Sequence, residues 1–161
     1  MEPMRVFVDT SVFGGCLDEE FKEDSRRLVE AVRRGRLVAL LTDIVIEELR
    51  EAPRKVRAIL ESLPPRSVER IALGLEILEL RDAYVRAGIV GERYRNDAAH
   101  VAAATVAGAD AIVSWNFQHI VRLDKMKAYN RVNLEKGYAN LTIVTPTEVV
   151  GDVGEEAAEG V

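Results

Sequence analysis

The run Val6-Phe7-Val8-Asp9-Thr10-Ser11 sets the frame of this chain. Three consecutive apolar residues without polar alternation describe a short strand covered on both faces. The acidic and hydroxyl residues that follow put the strand's exit at a polar rim, and Gly14-Gly15 predicts a turn beyond it. Leu37 to Leu41 repeats the signature. Ala111-Ile112-Val113, leaving through Ser114-Trp115-Asn116, is a third such run, and Leu141 to Val144 before Pro146 is a fourth.

Helical patterns lie between these runs. Asp24 or Ser25 caps a helix carrying Leu28, Val29 and Val32, which Gly35 ends. Thr42 caps a second helix with Ile44, Ile46, Glu48 and Leu49, stopping near Pro53. A further helix runs from Pro53 to the Pro64-Pro65 break. Ser67 to Ala87 reads as one long amphipathic stretch closed by Gly88, and Asp97 opens a helix of small residues, Ala98 to Ala107, closed by Gly108. Doubly apolar strands separated by helices predict an α/β fold: a single-domain, three-layer α/β/α sandwich around a mainly parallel sheet. The domain is expected to span residues 1–150, with 151–161 an acidic, frayed tail.

Composition narrows the function. The 161 residues suit one core. No apolar run approaches the roughly 18 residues needed to cross a bilayer. Val6 to Val8 is too short for the hydrophobic part of a secretion signal, so a cytoplasmic protein with no membrane association is expected. Cys16 is the only cysteine, which excludes an intrachain disulfide or a cysteine-rich metal site. A net charge of −5 argues against a protein that merely coats nucleic acid, because phosphate contacts supply most non-specific affinity. Basic residues are nevertheless clustered: Arg26, Arg27, Arg33, Arg34 and Arg36 in one stretch, Arg93 and Arg95 in another.

In an open parallel sheet, ligands bind beyond the carboxyl ends of the strands. Asp9 ends the first strand, Asn116 follows the third, Glu48 lies one to two turns into the helix after the second, and Asp97 is in the first turn of the Ala-rich helix. Taken singly, each has a plainer reading as a turn cap, a solvated side chain or a first-turn charge. Together, three carboxylates and an amide can converge on one rim. Such convergence is costly without a cation, and carboxylate oxygens suit magnesium or manganese. A metal of that kind supports phosphodiester hydrolysis. No Ser-His-Asp arrangement is legible, and Cys16 has no evident base.

These residues resemble the PIN-domain family from Val6 to about Val149. Val6 to Ser11 looks like its opening strand and first acidic residue, Thr42 to Leu49 like its second acidic segment, and Asn96 to Ala104 like its third. Ala109 to Phe117 is similar to the late strand leading to the fourth. The block Ser114 to Ile120, with Asn133 to Tyr138, is similar to a subgroup related to the VapC-type toxins.

The resemblance implies a Mg2+- or Mn2+-dependent ribonuclease acting on single-stranded RNA, often a homodimer and often inhibited by an antitoxin encoded alongside. It carries Asp9, Glu48 and Asp97 over as metal ligands, with Thr10 or Ser11 supporting a ligand or a bound water. His100 lies on roughly the face of Asp97, where it could bond an acidic ligand or protonate a leaving oxygen. Arg93 and Arg95 could grip substrate phosphate. Asn116 is a departure, because many active relatives carry aspartate there. One strong metal site is therefore expected, with any second ion recruited by substrate. A PIN-fold scaffold that binds RNA or protein, with weak or lost nuclease activity, is the alternative.

Overall fold

The computed structural model describes residues 2–151, so the expected tail beyond 151 lies outside the described residues. Five strands form one sheet: β1 (Met4–Val8), β2 (Leu37–Thr42), β3 (Val68–Ile71), β4 (Ala111–Val113) and β5 (Ile143–Val144). Their order is β3-β2-β1-β4-β5, and every pairing is parallel. The central strand β1 is buried over Val6, Phe7 and Val8, as its apolar run requires. Helices α1 (Thr10–Gly15), α2 (Lys22–Arg33), α3 (Asp43–Arg50) and α4 (Arg54–Glu61) pack among themselves, and α5 (Leu75–Arg86), α6 (Arg95–Val106) and α7 (Leu123–Glu135) make a second group. This is the expected α/β/α sandwich. No helix among the described residues is long and apolar enough to cross a membrane.

Local signals account for most element ends. Gly35, Gly88 and Gly108 close α2, α5 and α6 with φ of 76°, 76° and 67°, a backbone region that glycine enters without steric cost. The Thr42 hydroxyl accepts the Val45 N–H at 3.4 Å and caps α3. Helix α2 starts earlier than expected, at Lys22 after Phe21.

Two expectations need correction. The stretch from Ser67 is not one amphipathic element: β3 precedes α5, with Gly74 between them. As an edge strand β3 needs no apolar run, and it carries charges outward. Glu69 pairs with Arg5 at 2.5 Å, and Arg70 pairs with Asp43. Likewise, Gly14-Gly15 is not a turn but the end of the short helix α1. What Gly15 supplies is clearance. A Cβ there would sit 2.5 Å from Ser25 Oγ and 2.9 Å from Trp115 Nε1.

Helix α6 is buried without interruption from Ala98 to Thr105. Its alanines favour helix and let it lie close between the sheet and α5. That close seating brings Asp97 and His100 to the sheet's carboxyl rim. On the outer side of the same layer a polar knot joins three helices. Tyr84 of α5 donates to Asn133 Oδ1 of α7, and Asn133 Nδ2 donates to Thr105 Oγ1 of α6 at 3.3 Å.

Candidate metal and nuclease site

From β1 the chain builds outward to β2 and β3, then returns to place β4 on the other side of β1. That reversal is a topological switch point, where open α/β sheets form their ligand crevices. Asp9 leaves β1 here, and its N–H donates to Val113 O at 3.1 Å. The pairing of Val8 with Val113 puts Ser114 beside Asp9. Asp9 Oδ2 accepts from Ser11 Oγ at 2.8 Å and from Ser114 Oγ at 2.7 Å. Each hydroxyl also accepts a backbone N–H, from Trp115 and Asn116 respectively, both at 2.9 Å. Asp9 is 4% exposed, so its carboxylate is held by two oriented hydroxyls in a nearly dry pocket.

Glu48, expected one to two turns into α3, reaches the same rim. Its Oε1 accepts from Thr10 Oγ1 at 3.0 Å and meets His100 Nε2 at 2.8 Å. Burial pushes the Glu48 carboxyl up, but the His100 bond and charge and the Thr10 bond outweigh it, so the net shift is downward. His100 is fully buried, which disfavours its charged form. The bond to Glu48 and the charges of Asp9, Glu48 and Asp97 prevail and raise its pKa. Its Nε2 also lies 3.6 Å from Asp9 Oδ1, while its Nδ1 has no hydrogen-bond partner among the described residues.

Asp97 is half-buried in the first turn of α6. Its pKa is raised by burial and by the charge of Asp9, against the opposing influence of His100, His119 and a hydrogen bond from Asn116. Asn116 is thus at the site, but its oxygen is engaged: Oδ1 accepts the N–H groups of His119 at 2.9 Å and Gln118 at 3.2 Å. Those two donors fix the amide's orientation and turn its nitrogen toward Asp97. In this arrangement the Asn116 oxygen faces its own turn and not the carboxylates.

Arg93 and Arg95 stand exposed at the entrance to α6. The Arg93 guanidinium lies 5.7 Å from the centroid of Tyr94, whose ring is 4.0 Å from that of His119. Arg95 pairs with Glu92 at 3.2 Å. Neither bonds to the acidic trio. Cys16 is buried with its Sγ turned to Val12 O, and burial pushes its thiol up despite Arg26 and Arg33, which agrees with an inert cysteine.

The sequence reading overlooked Ser114. The available signal was positional: the first polar residue after a strand that pairs with β1 must stand beside Asp9. Replacing Ser114 with alanine is expected to weaken manganese binding and any metal-dependent turnover by about 10–100-fold, the usual cost of losing a support to a metal ligand. Isothermal titration of manganese into both proteins checks this, and unchanged affinity would contradict the role.

Do these residues suit a divalent cation? Among the described residues no group of three or more His, Cys, Asp or Glu side chains stands ready-made as an ion cage, since Glu48 is turned to Thr10 and His100. The chemistry of the donors does fit. Burial and the charge of Asp9 make ionisation of Asp97 costly at this rim, and Asp9 Oδ1 is not committed to the two serines. Oxygen donors of this kind match magnesium or manganese.

Comparison with protein families finds a match to the PIN domain over residues 5–118, well over half of the chain. No curated protein matches. Among solved structures, the chain is similar to one in the crystal structure of VapBC2 from Rickettsia felis bound to a DNA fragment from their promoter. The two share 16% identity and a TM-score of 0.54, over 88% of this chain and 98% of the other. That likeness concerns the fold. With the acidic segments in order along a 3-2-1-4-5 parallel sheet, and the family match covering all of them, the chain belongs to the PIN-domain family.

Proposed function

We propose that this chain is a Mg2+- or Mn2+-dependent endoribonuclease that hydrolyses single-stranded RNA. The observation that carries the reading is the convergence of buried Asp9 and half-buried Asp97 at the switch point, where burial and the charge of Asp9 raise the Asp97 pKa. A fold keeps such an arrangement at a cost in stability, and perturbed carboxylates in a crevice mark functional sites. In this reading Asp9, Glu48 and Asp97 hold the ion. When bound, such an ion acidifies water and neutralises charge developing on the phosphoryl oxygens.

The chain's own residues do the positioning. Ser11 and Ser114 aim Asp9, Asn116 aims Asp97, and Thr10 and His100 hold Glu48. Arg93 and Arg95, exposed beside Asp97, are placed to attract the phosphate backbone. The similarity to a chain of a VapBC2 complex supports a toxin role with an antitoxin as protein partner; a homodimeric state and a cytoplasmic setting belong to the same proposal. Manganese titrated into wild-type protein with single-stranded RNA is expected to give products with 5′-phosphate and 3′-hydroxyl ends. Cleavage that persists unchanged in chelator would overturn the mechanism.

One observation favours the second reading, a scaffold with weak nuclease activity. The amide of Asn116 supplies no charge, and its oxygen is spent on the turn. Saturable manganese binding without turnover across a set of RNAs would favour the scaffold.

A further inference from the structure

Asn116 is flanked by two aromatic residues that cluster with a third beside the acidic rim. The rings of Phe21 and Trp115 stack 4.4 Å apart at 25°, and the Phe117 ring lies 6.2 Å from each, tilted by 42° to Phe21 and 51° to Trp115. Phe117 is 48% exposed. The support beneath it is rigid. Trp115 Nε1 donates to Ser25 Oγ at 2.8 Å, and Gly15 leaves the ring the space it needs. The Trp115 N–H donates to Ser11 Oγ, the same hydroxyl that holds Asp9. The stack is therefore fastened to the acidic site through a shared atom, while its outer ring is left uncovered.

Just past the stack the surface turns basic. Cys16 and Arg26 follow Gly15 and Ser25, which contact Trp115. Both line a cavity of about 520 Å³ together with Arg33, Lys55 and Glu30. Arg26 Nε donates to Cys16 O at 2.8 Å, and among the described residues neither Arg26 nor Lys55 forms an ion pair. Both cations are exposed and so open to an anionic ligand.

We infer that the Phe21–Trp115–Phe117 stack is a nucleobase platform, and that the Arg26–Lys55 cavity takes an adjoining phosphate of the same single strand. The inference rests on the nuclease reading and names how its substrate is held. The Trp115 N–H and the Asp9 carboxylate share the Ser11 hydroxyl, so a base on the platform neighbours a phosphate held at the carboxylates. Stacking on an aromatic surface is available to every unpaired base, whereas a duplex keeps its faces covered. An acidic rim, an exposed aromatic ring and a basic cavity supply groups suited to phosphate, base and phosphate. An apolar protein segment would match the ring alone.

Trp115 is the only tryptophan, so its emission reports directly on the stack. A single-stranded oligouridine of about eight nucleotides is titrated into protein carrying Asp97→Asn, where the strand is not cut. Saturable quenching is expected, with affinity falling about fivefold or more on adding Phe117→Ala and staying near the starting value with Phe117→Tyr. Adding Lys55→Ala is expected to flatten the salt dependence. Because Phe117 is exposed, its substitutions leave the core intact, which thermal melts check.

Equal affinity with Phe117→Ala would overturn the platform even if wild-type protein cuts RNA with manganese. So would a Phe117→Ala effect confined to self-association or to binding of a protein. Phe117-dependent quenching in a protein that cuts no RNA would sustain the platform and sink the nuclease reading instead.

Discussion

Asp97→Asn is expected to abolish metal-dependent RNA cleavage, lowering turnover by at least about 100-fold, while making the metal-free protein more stable. The first half follows from removing one of the carboxylates that would hold the proposed cation. A bound ion contributes several kcal/mol to the transition state, and each 1.36 kcal/mol is about tenfold in rate. The second half follows from electrostatics at the rim. Burial and Asp9 raise the Asp97 pKa, so the folded chain holds that proton more tightly than the unfolded chain does. Stability from this group therefore falls as pH rises from the ordinary carboxylate range through the raised value, and the full penalty is present above it.

A neutral amide escapes that penalty. In chelator, the Asp97→Asn protein should melt above wild type at pH 7, and the difference should shrink toward acid. Added manganese should reverse the order. Wild type gains about 2.7 kcal/mol at a hundredfold excess over Kd, and the variant gains little. A metal-free variant that melts below wild type would show Asp97 to be structural. Undiminished cleavage would remove it from the site.

Asn133→Ala should produce the largest loss of stability away from the rim, about 2–4 kcal/mol. Asn133 is fully buried, and its amide ties Tyr84 of α5 and Thr105 of α6 to α7. It also donates to Asn130 Oδ1 at 3.2 Å, and Asn130 pairs with the backbone of Leu141 at the entry to β5. Truncation leaves the Tyr84 hydroxyl with only a 3.4 Å contact to Thr105, in a place where burial already holds that phenol well above its ordinary pKa. A small cavity adds to the cost. Urea unfolding should show a midpoint lower by about 1–2 M, given slopes of about 1–3 kcal/mol per molar. A change below about 0.5 kcal/mol would mean that the knot is satisfied by other groups.

The knot and the aromatic platform share a reason for escaping sequence inspection. Asn133, Tyr84 and Thr105 lie on three helices, and no spacing rule links them. Phe21 meets Trp115 where Ser25 binds the indole nitrogen and Gly15 leaves it room, residues far from Trp115 in sequence. The edge strand β3 escaped for a different reason. Half-exposed and charged, it lacks the doubly buried apolar run by which β1, β2 and β4 are recognised.

What the amino-acid order determined by itself is what short-range physics controls. Apolar triplets and quintets made parallel strands, glycines at positive φ ended helices, Thr42 capped α3, and an alanine run made a helix fit to lie under its neighbours. The same order also put Asp9, Glu48 and Asp97 just past strand ends or in the helices beyond, where a parallel sheet opens its crevice. Only the tertiary structure decided what those carboxylates meet. The pairing of β4 with β1 set Ser114 against Asp9, the seating of α6 pressed His100 between Asp9 and Glu48, and the turn after Asn116 took its oxygen. Those contacts depend on strand register and helix seating across about a hundred residues of chain, distances over which sequence spacing carries no force.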